Sequence, residues 1–81
     1  MINVKDKIKE HLKIHNKEAF ECFSESLSLD TDLIEESIYD SMGFMELMVY
    51  LMEECKKDID FDNLDPDKIA NIRYLTEIFN A

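Results

Sequence analysis

An amphipathic helix is predicted for residues 40–56, which read DSMGFMELMVYLMEECK. Asp40 and Ser41 both suit the N-cap position, because a short side chain with an oxygen atom can accept a hydrogen bond from the first helical turn. Lys56 and Lys57 lie near the C-terminus, where the helix dipole favours positive charge. We therefore expect this helix to run from about Ser41 to Lys56.

This helix has two apolar stripes, which is more than a small bundle can bury in full. The core stripe has the spacing of a helix face that packs on a protein interior, and it comprises Phe44, Leu47, Met48, Leu51 and Cys55. The methionine stripe lies about a third of a turn away, and it comprises Met42, Met45, Val49 and Met52. It is either a wide part of the core or an exposed surface. We favour a partner-binding surface, because flexible Met side chains adapt to different partners and because four acidic residues accompany the stripe: Asp40, Glu46, Glu53 and Glu54.

The rest of the chain also favours helices, since it contains only one Gly and one Pro. Val4, Ile8 and Leu12 recur every four residues and predict a first helix. That helix either continues through Phe23 or breaks near Asn16, and the pattern leaves both possibilities open.

A long ordered loop is expected between the first helix and residue 41. Residues 24–40 are rich in Ser and Asp and have no sustained periodicity. We expect Leu29, Leu33 and Ile38 to anchor this loop, with a turn after Asp32.

Two further helices are expected after a connection over residues 58–65. Asp65 and Pro66 suit the cap and the first position of a short third helix. Asn71 then caps a final helix with four inward residues: Ile72, Leu75, Ile78 and Phe79. The predicted fold is all-α, a small four-helix bundle of three main helices and a short third helix, in a single domain over residues 1–81.

The net charge of −10 is concentrated in one part of the chain. Residues 30–67 contain thirteen acidic residues and only two lysines. This charge argues against nucleic acid or an anionic membrane surface as a partner, because both require a positive face. It suits a basic protein surface instead.

The expected location is the cytoplasm. The longest apolar run, residues 47–52, is far shorter than the roughly 20 residues of a membrane span. The first ten residues do not resemble a secretory signal. Cys22 and Cys55 are too few and too far apart for a disulfide framework.

Ser41 is the candidate functional residue. Its position at a helix N-terminus favours an attached phosphate, because backbone N–H groups and the helix dipole point there. The sequence around it supplies no base and no Gly-rich elbow, so a catalytic nucleophile is not indicated.

Residues 40–47, DSMGFMEL, resemble the attachment motif of acyl and peptidyl carrier proteins. Glu46 and Leu47 are similar to the Glu-Leu of that family's second helix, and residues 53–54 and 59 continue the same register. Residues 68–72 resemble the passage from its third helix to its fourth. The similarity covers most of the chain and implies the four-helix carrier fold.

The resemblance implies that Ser41 carries 4′-phosphopantetheine, attached from coenzyme A by a phosphopantetheinyl transferase. The arm would hold an acyl or aminoacyl group as a thioester, and the chain itself would not be an enzyme. Implied partners are a loading enzyme, either an adenylating ligase or an acyltransferase, and a downstream synthase or transferase. The implied partner-binding residues are Asp40, Met42, Met45, Glu46, Val49, Glu53 and Glu54. We expect a discrete monomer without membrane insertion.

Some positions depart from the pattern of fatty-acid carriers. Met42 replaces the usual Leu, and Gly43 stands where fatty-acid carriers have an acidic residue. Asp-Ser-hydrophobe-Gly is more similar to D-alanyl and other specialised carriers. The implied pathway is therefore a secondary-metabolite or cell-envelope pathway rather than primary fatty-acid synthesis.

Two other classes of function remain as alternatives. In the first, the chain is a small acidic helical interaction module and Ser41 is only a helix cap. In the second it binds metal, but both candidate sites are weak. Asp58, Asp60 and Asp62 begin like a calcium loop that then lacks its Gly and its bidentate Glu. His11 and His15 lack further zinc ligands, and we expect both to be solvated.

Overall fold

The computed structural model describes residues 3–80 and contains four α-helices, with no β-strand among those residues. The helices are α1 (Val4–His15), α2 (Lys17–Phe23), α3 (Ser41–Cys55) and α4 (Ile72–Phe79), and a 3-10 helix spans Phe61–Asn63. The prediction of a small all-α bundle is confirmed. Met1, Ile2 and Ala81, which the single-domain prediction includes, lie outside the described residues.

Asn16 separates the first two helices and so decides the question that the periodicity left open. Its backbone is extended, its N–H donates to Leu12 O at 2.8 Å, and its side chain accepts a hydrogen bond from Ala19 N at 3.1 Å. One residue therefore ends α1 and caps α2. This double role follows from the short amide side chain, which can replace a helical carbonyl at an N-terminus.

The core forms where α1, α3 and α4 meet. Val4, Ile8 and Leu12 of α1 are fully buried, as the four-residue spacing predicts. Four members of the core stripe are buried, and Cys55 is half-buried against them. Three of the predicted inward residues of α4 are buried and Ile78 is half-buried.

The long loop is anchored by a slightly different set of side chains from the one predicted. Leu33 and Ile38 are buried, but Leu29 is 40% exposed and Leu27 is buried instead. The prediction for Leu29 is wrong because its backbone, rather than its side chain, makes the contact: its carbonyl accepts a hydrogen bond from Arg73 N at 2.9 Å. The predicted turn after Asp32 is confirmed, since the Asp32 carboxylate accepts from two backbone N–H groups that follow it.

Backbone hydrogen bonds fasten the loop to the start of α4. Besides the bond to Leu29, Leu33 N donates to Ala70 O at 2.9 Å and Ile72 N donates to Thr31 O at 3.0 Å. These bonds give partners to backbone N–H and C=O groups that would otherwise be buried without one. They hold the segment that leads into α3.

The predicted short third helix is wrong. After Asp65-Pro66 the chain makes two successive turns, in which Lys68 N donates to Asp65 O and Asn71 N donates to Lys68 O. Five residues are too few to repay the cost of starting an α-helix, and the Ala70 carbonyl bonds to the loop instead. The regular structure in this region is the earlier 3-10 helix, which Asp60 caps.

No helix within residues 3–80 is both long enough and apolar enough to cross a membrane.

Candidate functional site

The start of α3 is organised by Asp40, which is the N-cap residue. Its carboxylate accepts a hydrogen bond from Gly43 N at 2.6 Å, and its backbone carbonyl accepts from Phe44 N at 2.8 Å. Of the two residues that suited the cap, Asp40 therefore takes the role. Ser41 is the first residue of the helix and is not the cap.

Ser41 is exposed at this helix end. Within residues 3–80, its hydroxyl has no hydrogen-bond partner, and no residue accepts from the N–H groups of Ser41 and Met42. Unpaired N–H groups are normal at a helix N-terminus, where they carry a partial positive charge. With respect to the described residues, the site thus combines a free hydroxyl with two unpaired donors beside it.

The methionine stripe lies mainly on the surface. Met42 is 76% exposed, Met45 50% and Val49 49%, whereas Met52 is half-buried against the core. This exposure fits the interpretation as a surface and not the interpretation as a wide core, except at Met52. The stripe begins immediately after Ser41, on the same helix.

The acidic residues beside the stripe are partly engaged with α1. Glu46 Oε2 lies 3.2 Å from His15 Nδ1, and Glu54 Oε1 lies 3.2 Å from Lys7 Nζ. Hydrogen bonds from Lys7 to Glu54 and then to Glu10 raise the pKa of the lysine. Glu53 is exposed, and the Asp40 carboxylate accepts the capping hydrogen bond from Gly43 N.

Four rings form a cluster between α1, the end of the loop and α3. This ring cluster comprises His11, His15, Tyr39 and Tyr50. His11 stacks on His15 with ring centroids 5.4 Å apart, and its Nδ1 lies 2.8 Å from the Tyr39 hydroxyl. Tyr39 is almost fully buried, as expected for a residue that closes the loop over the core.

The expectation that both histidines are solvated is wrong for His11. His11 is only 9% exposed, whereas His15 remains exposed. The α1 register contains a signal for this, because His11 lies three residues after Ile8 and directly before Leu12, on the edge of the buried face. What the register lacks is the partner, since Tyr39 comes 28 residues later.

Burial shifts the pKa values of His11, Tyr39 and Tyr50. Burial lowers the pKa of His11, the neighbouring charge of His15 lowers it further, and the Glu46 carboxylate opposes part of this change. Burial also raises the pKa of Tyr39 and, with the nearby carboxylates of Glu54 and Glu10, the pKa of Tyr50. The neutral forms of these rings are therefore the ones that the fold favours.

Gly43 is where the ring cluster meets the first turn of α3. A Cβ atom at this position would lie 3.0 Å from Asp40 Oδ1, 3.1 Å from His15 Nε2 and 3.3 Å from Tyr39 Cδ1. At distances this short, the neighbouring side chains would have to shift slightly to make room for the atom. The absence of a side chain at residue 43 thus permits the close contact between the rings and the helix.

The chain matches no protein-family model, no curated protein and no solved structure. The resemblance of residues 40–47 to the carrier motif therefore stays a prediction. What can be said of function depends on the arrangement around Ser41.

Metal-ligating side chains and thiols are the other candidates for a functional site. Among residues 3–80, no group of three or more His, Cys, Asp or Glu side chains is placed to hold a metal ion. Cys22 is exposed and unpaired, and Cys55 is a free thiol whose pKa is raised by burial.

Proposed function

We propose that this protein is a carrier that holds acyl or aminoacyl groups as thioesters on a 4′-phosphopantetheine arm at Ser41. The observation that carries the proposal is the exposed Ser41 hydroxyl, which has no hydrogen-bond partner within residues 3–80. A serine retained only as a helix cap would use its oxygen to accept a hydrogen bond. Asp40 already does so.

The surroundings of Ser41 suit a phosphate group. A phosphodiester at its Oγ would lie at the positive end of a 15-residue helix. The N–H groups of Ser41 and Met42 are available as donors. Transfer from coenzyme A would form the phosphate ester and release the nucleotide portion, with a phosphopantetheinyl transferase as the enzyme.

The exposed methionine stripe supports docking of partner enzymes next to the arm. Met42, Met45 and Val49 offer apolar area, and the nearby carboxylates would steer the helix toward basic rims. The partners would be a loading enzyme, either an adenylating ligase or an acyltransferase, and a downstream synthase or transferase. In this proposal the carrier acts as a monomer in the cytoplasm and performs no catalysis.

Gly43 supports a specialised carrier rather than a fatty-acid carrier. An acidic side chain at this position would crowd the ring cluster and the Asp40 cap, since even a Cβ atom approaches their side chains to 3.0–3.3 Å. A glycine therefore suits how this chain packs α1 on α3. The cargo and the pathway would be set by the loading enzyme.

The deciding experiment is attachment of the arm. We expect the chain, coexpressed with a broad-specificity phosphopantetheinyl transferase, to gain the mass of one phosphopantetheine group. Ser41→Ala should abolish the gain, whereas Ser26→Ala, which changes an exposed serine outside α3, should retain it. An unchanged mass with a transferase that modifies a control carrier would refute the proposal.

The second candidate is a helical interaction module, and the exposed methionine stripe is the observation that favours it. Such a module would bind a basic protein through α3 without any modification. It predicts that Ser41→Ala leaves partner binding intact. The carrier proposal predicts that the same substitution abolishes turnover by every enzyme that acts on the thioester.

A further inference from the structure

The ring cluster touches the part of α3 that carries Ser41. His15 and Tyr39 both lie against the backbone at Gly43, within 3.1–3.3 Å of where a Cβ would be. His11 lies behind them, bonded to Tyr39 and stacked on His15. Through these contacts α1, the end of the loop and the first turn of α3 share one packed interface.

The groups that face His11 directly are three aromatic or imidazole rings, and the nearest carboxylate is in contact with a neighbouring ring instead. From α1 it faces the His15 ring, and from the loop it faces the Tyr39 hydroxyl. From α3 it faces the Tyr50 ring, whose centroid is 5.0 Å away. That carboxylate is Glu46 of α3, which contacts His15, and its charge offsets only part of the lowering of the His11 pKa. A protonated His11 would therefore be a buried charge beside a second imidazole.

Protonation would also disturb the bond between His11 and Tyr39. In the neutral form the Tyr39 hydroxyl can donate to Nδ1, which makes Tyr39 buried yet satisfied. A protonated Nδ1 must donate, so the hydroxyl proton would need another acceptor in a buried place. Leaving a buried polar group unpaired is costly.

We propose that the ring cluster is a proton-sensitive clasp, which holds the first turn of α3 against α1 while His11 is neutral and loosens when His11 takes up a proton. The clasp belongs to the unmodified fold and does not depend on what Ser41 carries. We expect its effect to be local, because His15 and Tyr39 contact Gly43 in the first turn of α3. It would couple acidity to the order of the helix end on which Ser41 lies.

The sign of the effect follows from the lowered pKa of His11. An unfolded chain binds a proton at its histidines with a pKa of about 6.5. Below that pH the unfolded state binds more protons at His11 than the folded state does, so stability falls as the pH decreases. Above that pH the full contribution is present. Each unit of pKa depression corresponds to about tenfold in the unfolding equilibrium constant.

The first test compares the wild type with the double variant His11→Phe/Tyr39→Phe between pH 7.5 and 5. The variant keeps a ring at each of the two positions. It removes the imidazole of His11, which takes up the proton, and the hydroxyl of Tyr39, which would be left unpaired. Carboxylates titrate in both proteins, so their effect cancels in the comparison. We expect the unfolding constant of the wild type, measured in urea, to rise severalfold more on acidification. Equal pH dependence in the two proteins would overturn the proposal.

The second test is local and uses a matched pair of amides. Phe44 N donates to Asp40 O at the start of α3, and Leu75 N donates to Asn71 O at the start of α4. In the wild type, we expect acidification to decrease the hydrogen-exchange protection of the Phe44 amide more than that of the Leu75 amide. In the double variant, the protection of the two amides should change by the same factor. Parallel loss at both amides of the wild type would overturn the local clasp.

A direct titration keeps the proposal testable even if the double variant does not fold. The ring protons of His11 in the wild type should titrate, by NMR, below the pKa of a histidine in a denatured peptide. A His11 that titrates at or above the peptide value would overturn the proposal.

Discussion

At the start of α3 two adjacent residues have different roles, and they can be separated by mutation. Asp40 accepts the hydrogen bond from Gly43 N, so Asp40→Ala should lower the free energy of unfolding by about 1 kcal/mol, as for other lost caps. The Ser41 hydroxyl has no partner within residues 3–80, so Ser41→Ala should change it by less than about 0.5 kcal/mol. Urea denaturation monitored by circular dichroism measures both.

Asp40→Asn is the matched control, since Asn retains an oxygen that can cap a helix. It should lose less stability than Asp40→Ala. If Ser41→Ala proved as destabilising as Asp40→Ala, the serine would be structural, and loss of modification in that variant could no longer be attributed to the hydroxyl alone.

Single residues also show where sequence reasoning succeeds and where it stops. The Asp-Ser pair was enough to predict the start of α3 to within one residue. The burial of His11 was missed because it depends on Tyr39 and on the space at Gly43, which are distant in sequence. The spacing of apolar residues identifies one face of a helix, but it does not identify the distant residues that pack against that face.

The two apolar stripes of α3 can be compared directly, because each contains a methionine that can be replaced by the same residue. Met45 is 50% exposed and Met48 is fully buried, three positions later. Met45→Glu should change the free energy of unfolding by less than about 0.5 kcal/mol, because the carboxylate stays in water. Met48→Glu should be destabilising by several kcal/mol or prevent folding, because it buries an unpaired charge.

Thermal and urea unfolding of the two variants provide the measurement. A carrier with Met45→Glu should keep its helicity and still lose turnover by partner enzymes, because a charge replaces apolar contact area. Comparable destabilisation by both substitutions would contradict the interpretation of the methionine stripe as a surface, and would place Met45 in the core.

Helices with a sustained apolar period were predictable, and short elements were not. Val4, Ile8 and Leu12 form one face by spacing alone, and the same holds for the core stripe. The Asp65-Pro66 pair predicted the start of a short helix, but the five residues after it form turns whose last carbonyl bonds to Leu33 N. Tertiary hydrogen bonds decide the outcome where an element is too short to stabilise itself.

At the scale of the whole molecule, the long loop is part of the framework. Its backbone bonds to the start of α4, and the exposed Arg73–Asp30 ion pair lies over the same junction at 3.1 Å. The side chains of Leu33 and Ile38 are buried in the core and attach the loop to it. The segment before Ser41 is therefore fixed at several points, which gives α3 a defined position relative to α1.

The net charge opposes this compact arrangement, and salt should reveal it. Nine basic residues cannot neutralise 19 acidic ones in any arrangement, and the molecule measures only 31 × 24 × 21 Å. The screening length falls from about 30 Å at 0.01 M salt, the size of the whole molecule, to about 10 Å at 0.1 M. We therefore expect the urea midpoint to rise over this range of salt concentration, and the free energy of unfolding to increase by up to about 1 kcal/mol.

The control is the double variant Asp58→Asn/Asp62→Asn, which removes two exposed charges. It should be more stable than the wild type at low salt, and its midpoint should change less when salt is added. A midpoint that falls with salt would mean that ion pairs such as Lys7–Glu54 outweigh the repulsion.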